Sequence, residues 1–514
     1  MDYARGAGRD TSKCCLPGTR EDILSLIKSW IDSTGEDVQR VFWLSGTAGK
    51  GKSAIAHTVA DWFNGRGGPG AFFCFDRTRE ADRRHEKIFT TIARDLADGD
   101  PIIRRTLANV VRDNKELRHM TDITRQWREL ILEPVDAAAR IVGAPVLIVI
   151  DALDESGDAR SREQILRVLA GKQGTISNRL NFPTNLRVLI TSRPAGDIHK
   201  YLHGASHVRH LSMDDTVSRD SSERDIQHYI SIQLRDISHL DDRDFNRLAV
   251  LSDGLFEWAR LACEYISDTN MVGQDPRKRV EAVLAGTSDE GARLLDNMYR
   301  RILEDIIPEH KRQDAIPIFC SVMGQILVSL EPLPCSALNE MRRHFPLADE
   351  CEEVEVVIRP LGSLVTGTTD PQIPVRPLHA SFYDFLTDES RSKMFFVDVS
   401  LAQRNLAFAS LRVLQHQLRF NICSLESSYL PNSEIPDLEK RIEESISAEL
   451  SYSCRSWGTH VAATSVERPL VEEVKAFFDD ERLLFWLEVT SLLNILGSSV
   501  ATLSCIADWL TVSG

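Results

Sequence analysis

The sequence contains the phosphate-binding pattern GxxxxGK[ST], as Gly46-Thr47-Ala48-Gly49-Lys50-Gly51-Lys52-Ser53. An apolar run at residues 41–44 precedes the pattern and a stretch with helical spacing follows it, as this motif requires. Glycines let backbone N–H groups converge on phosphates, and the following helix adds the positive end of its dipole. Lys52 would supply a cation to the β- and γ-phosphates and Ser53 a hydroxyl ligand to Mg²⁺, whereas Lys50 lies inside the loop. The pattern therefore predicts a site for a nucleoside triphosphate, ATP with Mg²⁺.

Acidic residues follow a second apolar run, at residues 146–150. Asp151 comes directly after it, where a carboxylate at the C-terminal end of a buried parallel strand can reach a metal. Asp154 and Glu155 stand just beyond, separated from Asp151 by Ala152 and Leu153. We predict Asp151 as the carboxylate on the Mg²⁺ side, and the alternative is that these acids cap the next helix.

A third apolar run, at residues 186–191, leads into Ser192-Arg193-Pro194. An arginine at the end of a sheet strand can sense a γ-phosphate. The alternative for Arg193 is a surface ion pair.

Short apolar runs alternate with amphipathic stretches from residue 41 to residue 213, which is typical of βαβ units and a parallel sheet. The predicted strands are residues 41–45, 71–75, 146–150, 186–191 and 207–211, with helices at 53–63 and 85–96. Helical periodicity then dominates at residues 223–236, 245–251, 255–266 and 290–306, with a polar break at 267–278.

Three short strands, at residues 354–358, 362–365 and 373–378, are predicted around a turn at 367–371. Helices followed by a small hairpin suggest a winged-helix module. The remainder is predicted to be helical, at residues 401–414, 467–478, 482–493 and 501–510. The expected fold is an α/β P-loop domain, a parallel sheet with helices on both faces, followed by helical, winged-helix and C-terminal α-helical regions.

Composition excludes several classes of protein. The 514 residues carry a net charge of −15, 42% of them are hydrophobic and 27% are charged, which fits about three or four globular domains. No long basic run is present, so nucleic acid is not an expected partner. No apolar run could span a bilayer or serve as a signal peptide, and the ten cysteines include no CxxC pair. We expect a soluble, cytoplasmic protein with reduced thiols.

Together these motifs resemble the NACHT family of signal-transducing P-loop ATPases, within the STAND class. The similarity is to the fungal branch related to heterokaryon-incompatibility proteins and to the nephrocystin-3 N-terminal region. It extends from about residue 14 to near residue 514. The motifs that carry it are Leu16-Pro-Gly-Thr-Arg20, Gly46 to Ser53, Asp151-Ala-Leu-Asp-Glu155, Thr191-Ser-Arg-Pro194, Gly254-Leu-Phe-Glu-Trp-Ala259 and Leu378-His-Ala-Ser-Phe-Tyr-Asp-Phe-Leu386.

The resemblance implies a role for each matching residue. Asp151 would orient Mg²⁺, and Glu155, or Asp154 in its place, would position the attacking water. Arg193 would be the sensor arginine. The adenine pocket would be lined by Gly18, Thr19 and Arg20. His379 would contact the β-phosphate of ADP, and the alternative for it is an ordinary core histidine.

The implied organisation has five parts. They are an N-terminal segment with the adenine-side loop (1–37), a NACHT NTPase domain (38–214), a helical domain (215–305), a winged-helix domain (306–395) and a C-terminal helical region (396–514). The N-terminal effector and the repeat sensor that such proteins often carry are not recognisable, so we expect a bare switch core or a fragment of a longer protein.

The function implied is a switch, closed with ADP and open with ATP, with slow Mg²⁺-dependent hydrolysis. Self-association in the ATP form and protein partners are expected, in fungal innate-immunity or incompatibility-type signalling. One alternative is a continuously cycling P-loop ATPase or a kinase, although no acceptor site or lid is recognisable. The other is a nucleotide-binding scaffold that has lost hydrolysis.

Overall fold

The computed structural model divides the chain into two compact units, Met1–Met298 and Tyr299–Gly514. The finer division into five parts stays a prediction. The described residues are 3–4, 6–35, 37–79, 83, 85–118, 120–142, 144–171, 182–237, 239–267, 275–285, 292–346, 353–368, 370–427, 429–479 and 481–511.

A parallel sheet lies at the centre of the first unit. Its five strands in the described residues run in the order β2-β3-β4-β1-β5. They are Val41–Ser45 (β1), Gly70–Cys74 (β2), Val146–Asp151 (β3), Leu186–Ser192 (β4) and Val208–Ser212 (β5). Every residue of β1, β3 and β4 is buried, as continuous apolar runs in a parallel sheet should be. The five predicted strands are confirmed, with bounds that differ by one residue at most.

Alternate side chains of each strand enter different cores, since successive residues of a strand point to opposite faces. Trp43 and Ile148 belong to one apolar cluster, whereas Phe42 and Leu147 belong to the other. Helices cover both faces of the sheet. One cluster includes residues of Glu21–Asp32 and of the P-loop helix, Lys52–Gly65; the other includes residues of Ile88–Gly99, Pro101–Asp113, Glu133–Val142, Ala159–Leu169 and Gly196–Leu202.

Helix Glu21–Asp32 has no counterpart among the predicted elements. Its signal is present in the sequence, because Ile23, Ile27 and Ile31 recur at a spacing of four and are all buried.

A layer of helices follows the sheet in the first unit. The helical layer comprises Met213–Thr216, Arg219–Gln233, Asp242–Leu251, Phe256–Ser267 and Pro276–Ala285, and Ala292–Ile306 follows. The helices predicted after residue 215 are confirmed. The predicted break at 267–278 is wrong in its last part, because a helix begins at Pro276. Proline is tolerated at the first position of a helix, since the N–H it lacks would have no partner within the helix. Residues 268–274 of that break lie outside the described residues.

The second unit is helical over most of its described length. Its longer helices are Arg312–Val328, Cys335–Arg342, Ala380–Leu386, Val399–Gln417, Leu438–Ser445, Ala448–Ala462, Arg468–Phe478, Arg482–Leu492 and Leu496–Thr511. The helices predicted after residue 399 are confirmed. None of the helices in the described part of the chain combines the length and apolar character that a bilayer span needs.

The strand predicted at residues 354–358 is wrong, because Val354–Ile358 is a helix. Val354 and Ile358 lie four residues apart and are both buried. A spacing of four places two side chains on the same face in a helix as well as in a strand. The side chain of Asn339 accepts a hydrogen bond of 2.9 Å from the Val354 N–H and so satisfies a donor at the start of this helix. Tertiary contacts here override the β-propensity of a valine-rich segment.

The predicted strands at 362–365 and 373–378 are reduced to a single antiparallel bridge between Val365 and Pro377. Prolines at 374 and 377 have no N–H, so the ladder cannot continue. Gly367 has φ of +74° and a Cβ there would lie 2.6 Å from the Ile373 oxygen, so the turn requires glycine. The winged-helix prediction, which depended on these strands, is not confirmed.

Candidate nucleotide-binding site

The P-loop connects β1 to the P-loop helix. Gly49 and Gly51 have φ of +82° and +86°, in the left-handed region that favours glycine. A Cβ on Gly49 would lie 3.1 Å from the Cβ of Glu257, whereas a Cβ on Gly51 would meet nothing within 4 Å. The open space beside Gly51, at the N-terminus of a 14-residue helix, fits a phosphate group.

The ammonium of Lys52 folds back over the first part of the loop. Its Nζ donates hydrogen bonds to the Gly46 oxygen at 2.7 Å and to the Thr47 oxygen at 2.8 Å. Desolvation lowers the pKa of Lys52 to about 8, and the nearby Asp154 opposes this shift. The side chain is thus a desolvated cation at the loop, as phosphate binding requires.

Asp151 is fully buried at the end of β3. Its Oδ1 accepts a hydrogen bond of 3.1 Å from the Ser53 hydroxyl and another from the Thr191 hydroxyl. Its Oδ2 accepts a bond of 3.4 Å from the Cys74 thiol, whose pKa burial raises well above its usual range. The structure therefore brings together the two predicted metal ligands, Ser53 and Asp151.

Asp154 and Arg193 form a pair beside Asp151. The Arg193 N–H donates to Asp154 Oδ1 at 2.9 Å, and Arg193 Nε lies 3.4 Å from Asp154 Oδ2. Asp154 is 9% exposed, so the pair differs from the surface ion pair considered for this arginine.

Glu155 ends a short turn, Leu153–Glu155, and its Oε2 accepts a bond of 3.4 Å from the Arg77 N–H. Desolvation, followed by the Asp154 and Asp76 carboxylates, raises the pKa of Glu155 to about 8. The next helix is capped by Asp158, which accepts from the Ser161 N–H at 2.7 Å. The alternative that Asp151, Asp154 or Glu155 caps this helix is therefore wrong.

The predicted adenine-side residues lie between the P-loop and the helical layer. Gly18, with φ of +84°, and Thr19 lead into the buried Arg20. Arg20 donates to the Lys50 oxygen and to the Ser222 hydroxyl, both at 3.1 Å, and its guanidinium carbon lies 4.8 Å from the centre of the Phe256 ring. Its Nε has no hydrogen-bond partner among the described residues. A buried unpaired donor beside an aromatic ring fits the recognition of a polar heterocycle.

The helical layer contacts the P-loop directly, which the sequence did not predict. The Thr47 N–H and hydroxyl donate to the two Asp214 carboxylate oxygens at 2.9 Å and 3.0 Å. The Glu257 N–H donates to the Gly49 oxygen at 3.2 Å. The Nζ of Lys50 lies 3.9 Å from Asp214 Oδ1. Lys50 is inside the loop and is therefore the less suitable phosphate ligand of the two lysines. The loop is thus held by the segment that follows the sheet as well as by the sheet.

His379 belongs to the second unit. Its Nδ1 accepts a hydrogen bond of 3.2 Å from the Ser381 N–H, so the His379 side chain caps helix Ala380–Leu386. The same Nδ1 lies 2.6 Å from the Ser381 hydroxyl. The Tyr299 hydroxyl lies 2.7 Å from the same Ser381 oxygen. The phosphate contact predicted for His379 stays a prediction.

Within the described residues, no group of three or more His, Cys, Asp or Glu side chains could hold a metal ion alone. Ser53 and Asp151 supply hard oxygen ligands, and Mg²⁺ is commonly held by one or two such groups together with substrate phosphates. The donor set therefore fits a metal that binds with a nucleotide.

Two comparisons of the sequence agree with this geometry. The family profile described as Nephrocystin 3, N-terminal matches residues 18–193, which include the P-loop, Asp151 and Arg193. Vegetative incompatibility protein HET-E-1 of Podospora anserina is 23% identical over 510 residues. The chain is thus similar to P-loop NTPases of the NACHT and STAND group.

The chain aligns with HET-E-1 over 92% of its own length but spans only 34% of that relative. Among solved structures, a STAND protein with a tetratricopeptide repeat sensor from Pyrococcus horikoshii matches 98% of this chain and 65% of its own, at 14% identity and a TM-score of 0.38. The ORC2 protein of Aeropyrum pernix in its ADP form matches 70% of this chain and 92% of its own, at 12% identity and a TM-score of 0.31.

The P-loop assignment is tested by Lys52→Ala. We expect this change to abolish ATP and ADP binding, because it removes the cation that would face the phosphates, and to leave folding intact. Titration calorimetry measures both affinities. Lys50→Ala is the matched control, since it removes the same charge from the same loop, and it should bind close to the wild-type affinity. Equal affinities of wild type and Lys52→Ala would contradict the assignment.

Proposed function

We propose that the protein is an ATP-binding signalling switch that hydrolyses ATP slowly with Mg²⁺. The observation that carries this proposal is the contact of Ser53 with Asp151 at the P-loop, with Asp154 near Lys52 and Glu155 next to Asp154 in the chain. When bound, Mg²⁺ would neutralise phosphate charge, with Ser53 and Asp151 as its protein ligands. Glu155 would orient the attacking water and accept its proton.

Slow hydrolysis is consistent with the environment of Glu155. A general base has to be ionised, and a carboxyl with a pKa of about 8 is about one-tenth ionised at pH 7. Such a base acts on a small fraction of bound ATP at neutral pH, which suits a device that uses nucleotide as a latch. A continuously cycling motor would need a base that is largely ionised.

The switching part of the proposal is supported by the contacts around the P-loop. Asp214 and Glu257, from two elements of the helical layer, both bond to the loop, and Arg20 joins the loop to Ser222. A change in loop conformation on nucleotide exchange would therefore alter contacts with the helical layer. A ligand shifts a conformational equilibrium only through contacts that differ between the states, and these contacts can differ.

The wider role follows from resemblance. We propose that the chain acts in incompatibility-type or innate-immune signalling, that the ATP form self-associates and that it engages protein partners. A winged-helix role for residues 306–395 and a sensor role for Arg193 belong to the same proposal. Arg20, with its unpaired Nε, and Phe256 would contact the adenine.

Glu155→Gln tests the catalytic assignment. We expect ATP affinity to be kept and hydrolysis to fall by about 100-fold or more, because a positioned general base contributes on that scale. In the wild type, hydrolysis should rise between pH 6 and pH 8 as Glu155 ionises. Single-turnover assays with radiolabelled ATP measure both effects, and Glu472→Gln, at an exposed glutamate, is the control. Unchanged turnover in Glu155→Gln would assign the water-positioning role to Asp154 or another group.

His379 provides a test of the ADP latch. Loss of a charge-assisted hydrogen bond to phosphate should weaken ADP affinity by about tenfold or more, since such bonds contribute about 1.5–3 kcal/mol. ATP affinity should change little. His379→Ala removes both the imidazole and the helix cap, whereas His379→Asn keeps a good capping residue. We expect both variants to lose the preference for ADP over ATP in competition titrations. Normal ADP affinity in His379→Asn would show that His379 only caps helix Ala380–Leu386.

A further inference from the structure

The Asp151 carboxylate is held by three side chains from three different elements. The Thr191 hydroxyl, on β4, and the Ser53 hydroxyl, on the P-loop helix, both donate to Oδ1. The Cys74 thiol, at the end of β2, donates to Oδ2. A buried carboxylate needs such donors, because an ionised group without hydrogen bonds is costly to bury.

The three donors differ in how they can serve when a metal binds. Ser53 is exposed and is itself the proposed hydroxyl ligand of Mg²⁺, so its bond to Asp151 competes with that role. A thiol is a weak donor, and the Cys74 contact is 3.4 Å long. Thr191 has neither limitation, because it is fully buried and has no part in the proposed metal ligation.

Thr191 is also fixed in direction. Its hydroxyl oxygen accepts a hydrogen bond of 3.0 Å from the Ala152 N–H while its hydrogen is donated to Asp151. Ala152 has φ of +55°, a left-handed conformation that non-glycine residues adopt only under constraint. One β-branched side chain, stiff at χ1, therefore holds both the carboxylate and the turn that leads to Asp154 and Glu155.

We propose that Thr191 is a positioning residue that orients Asp151 towards Mg²⁺ and so sets the Mg²⁺ concentration at which nucleotide is held tightly. The proposal rests on the nucleotide-binding function proposed above. Thr191 acts through Asp151 and has no contact with nucleotide in this account. Removing a partner that orients a metal ligand typically costs 10- to 100-fold in metal affinity.

Thr191→Val is the informative variant, because it removes only the hydroxyl and keeps the shape and β-propensity of the side chain. Affinity for a fluorescent ADP analogue is measured as a function of free Mg²⁺, and again in EDTA. We expect the Mg²⁺ midpoint to rise by about 10- to 100-fold with the affinity in EDTA unchanged. Thr191→Ser, which restores the hydroxyl, should return the midpoint close to wild type. If Thr191→Val does not fold, Thr191→Ala against Thr191→Ser makes the same comparison.

Two controls separate this role from a general loss of stability. Thr90→Val removes another buried threonine hydroxyl of the same unit, one that bonds to the Lys87 oxygen at 3.1 Å, and should leave the Mg²⁺ midpoint unchanged. In the background Asp151→Asn, adding Thr191→Val should have little further effect, because the two residues act as one unit.

If nucleotide affinity of the wild type depends on Mg²⁺ and the Mg²⁺ midpoint of Thr191→Val is unchanged, the role of Thr191 is overturned and the proposed nucleotide-binding function is not. An equal loss of affinity in Mg²⁺ and in EDTA would also overturn it, since this would indicate a purely structural role. Wild-type affinity that does not depend on Mg²⁺ would overturn the proposed metal site and this inference with it.

Discussion

A buried carboxylate at the end of a central strand is the constraint on which the site depends. Asp151 has to be satisfied by donors that reach the same edge of the sheet, and a parallel sheet supplies them because its strands all end there. Thr191 lies near the end of β4 and Cys74 at the end of β2, and both side chains contact Asp151. Ser53, in the helix after β1, is the third donor. The strand order β2-β3-β4-β1-β5 places the donor strands β2 and β4 on either side of β3.

The same edge connects the sheet to the helical layer. Asp214 lies just beyond β5 and bonds to Thr47, and the first turn of helix Phe256–Ser267 bonds to the Gly49 oxygen. The Arg260 side chain holds Glu257 and Glu264 in turn, with distances of 2.7 Å to each. The loop that would bind phosphate is therefore part of a continuous set of polar contacts, through which a bound nucleotide would act on the helical layer in the proposed switch.

Local patterns are sufficient to predict the sheet and to place the P-loop between β1 and the helix that follows it. A buried parallel strand is a continuous apolar run, and the P-loop has an explicit spacing, so both can be found in a single sequence. The sequence alone does not assign Thr191 and Cys74 to the site, because a polar residue at a strand end becomes informative only when the neighbouring strand is known. Arg20, Asp214 and Glu257 meet the loop across long sequence separations that no local pattern encodes. Val354–Ile358 shows the opposite error, because its β-branched residues favour a strand although a cap from Asn339 favours a helix.

The central claim is that the chain holds a nucleotide as a latch. The most direct measurement is the identity and amount of nucleotide released when the purified protein is denatured, determined by ion-pair chromatography. We expect a stoichiometric nucleotide, mainly ADP. A protein that releases none and binds neither ADP nor ATP at millimolar concentration with Mg²⁺ would contradict it.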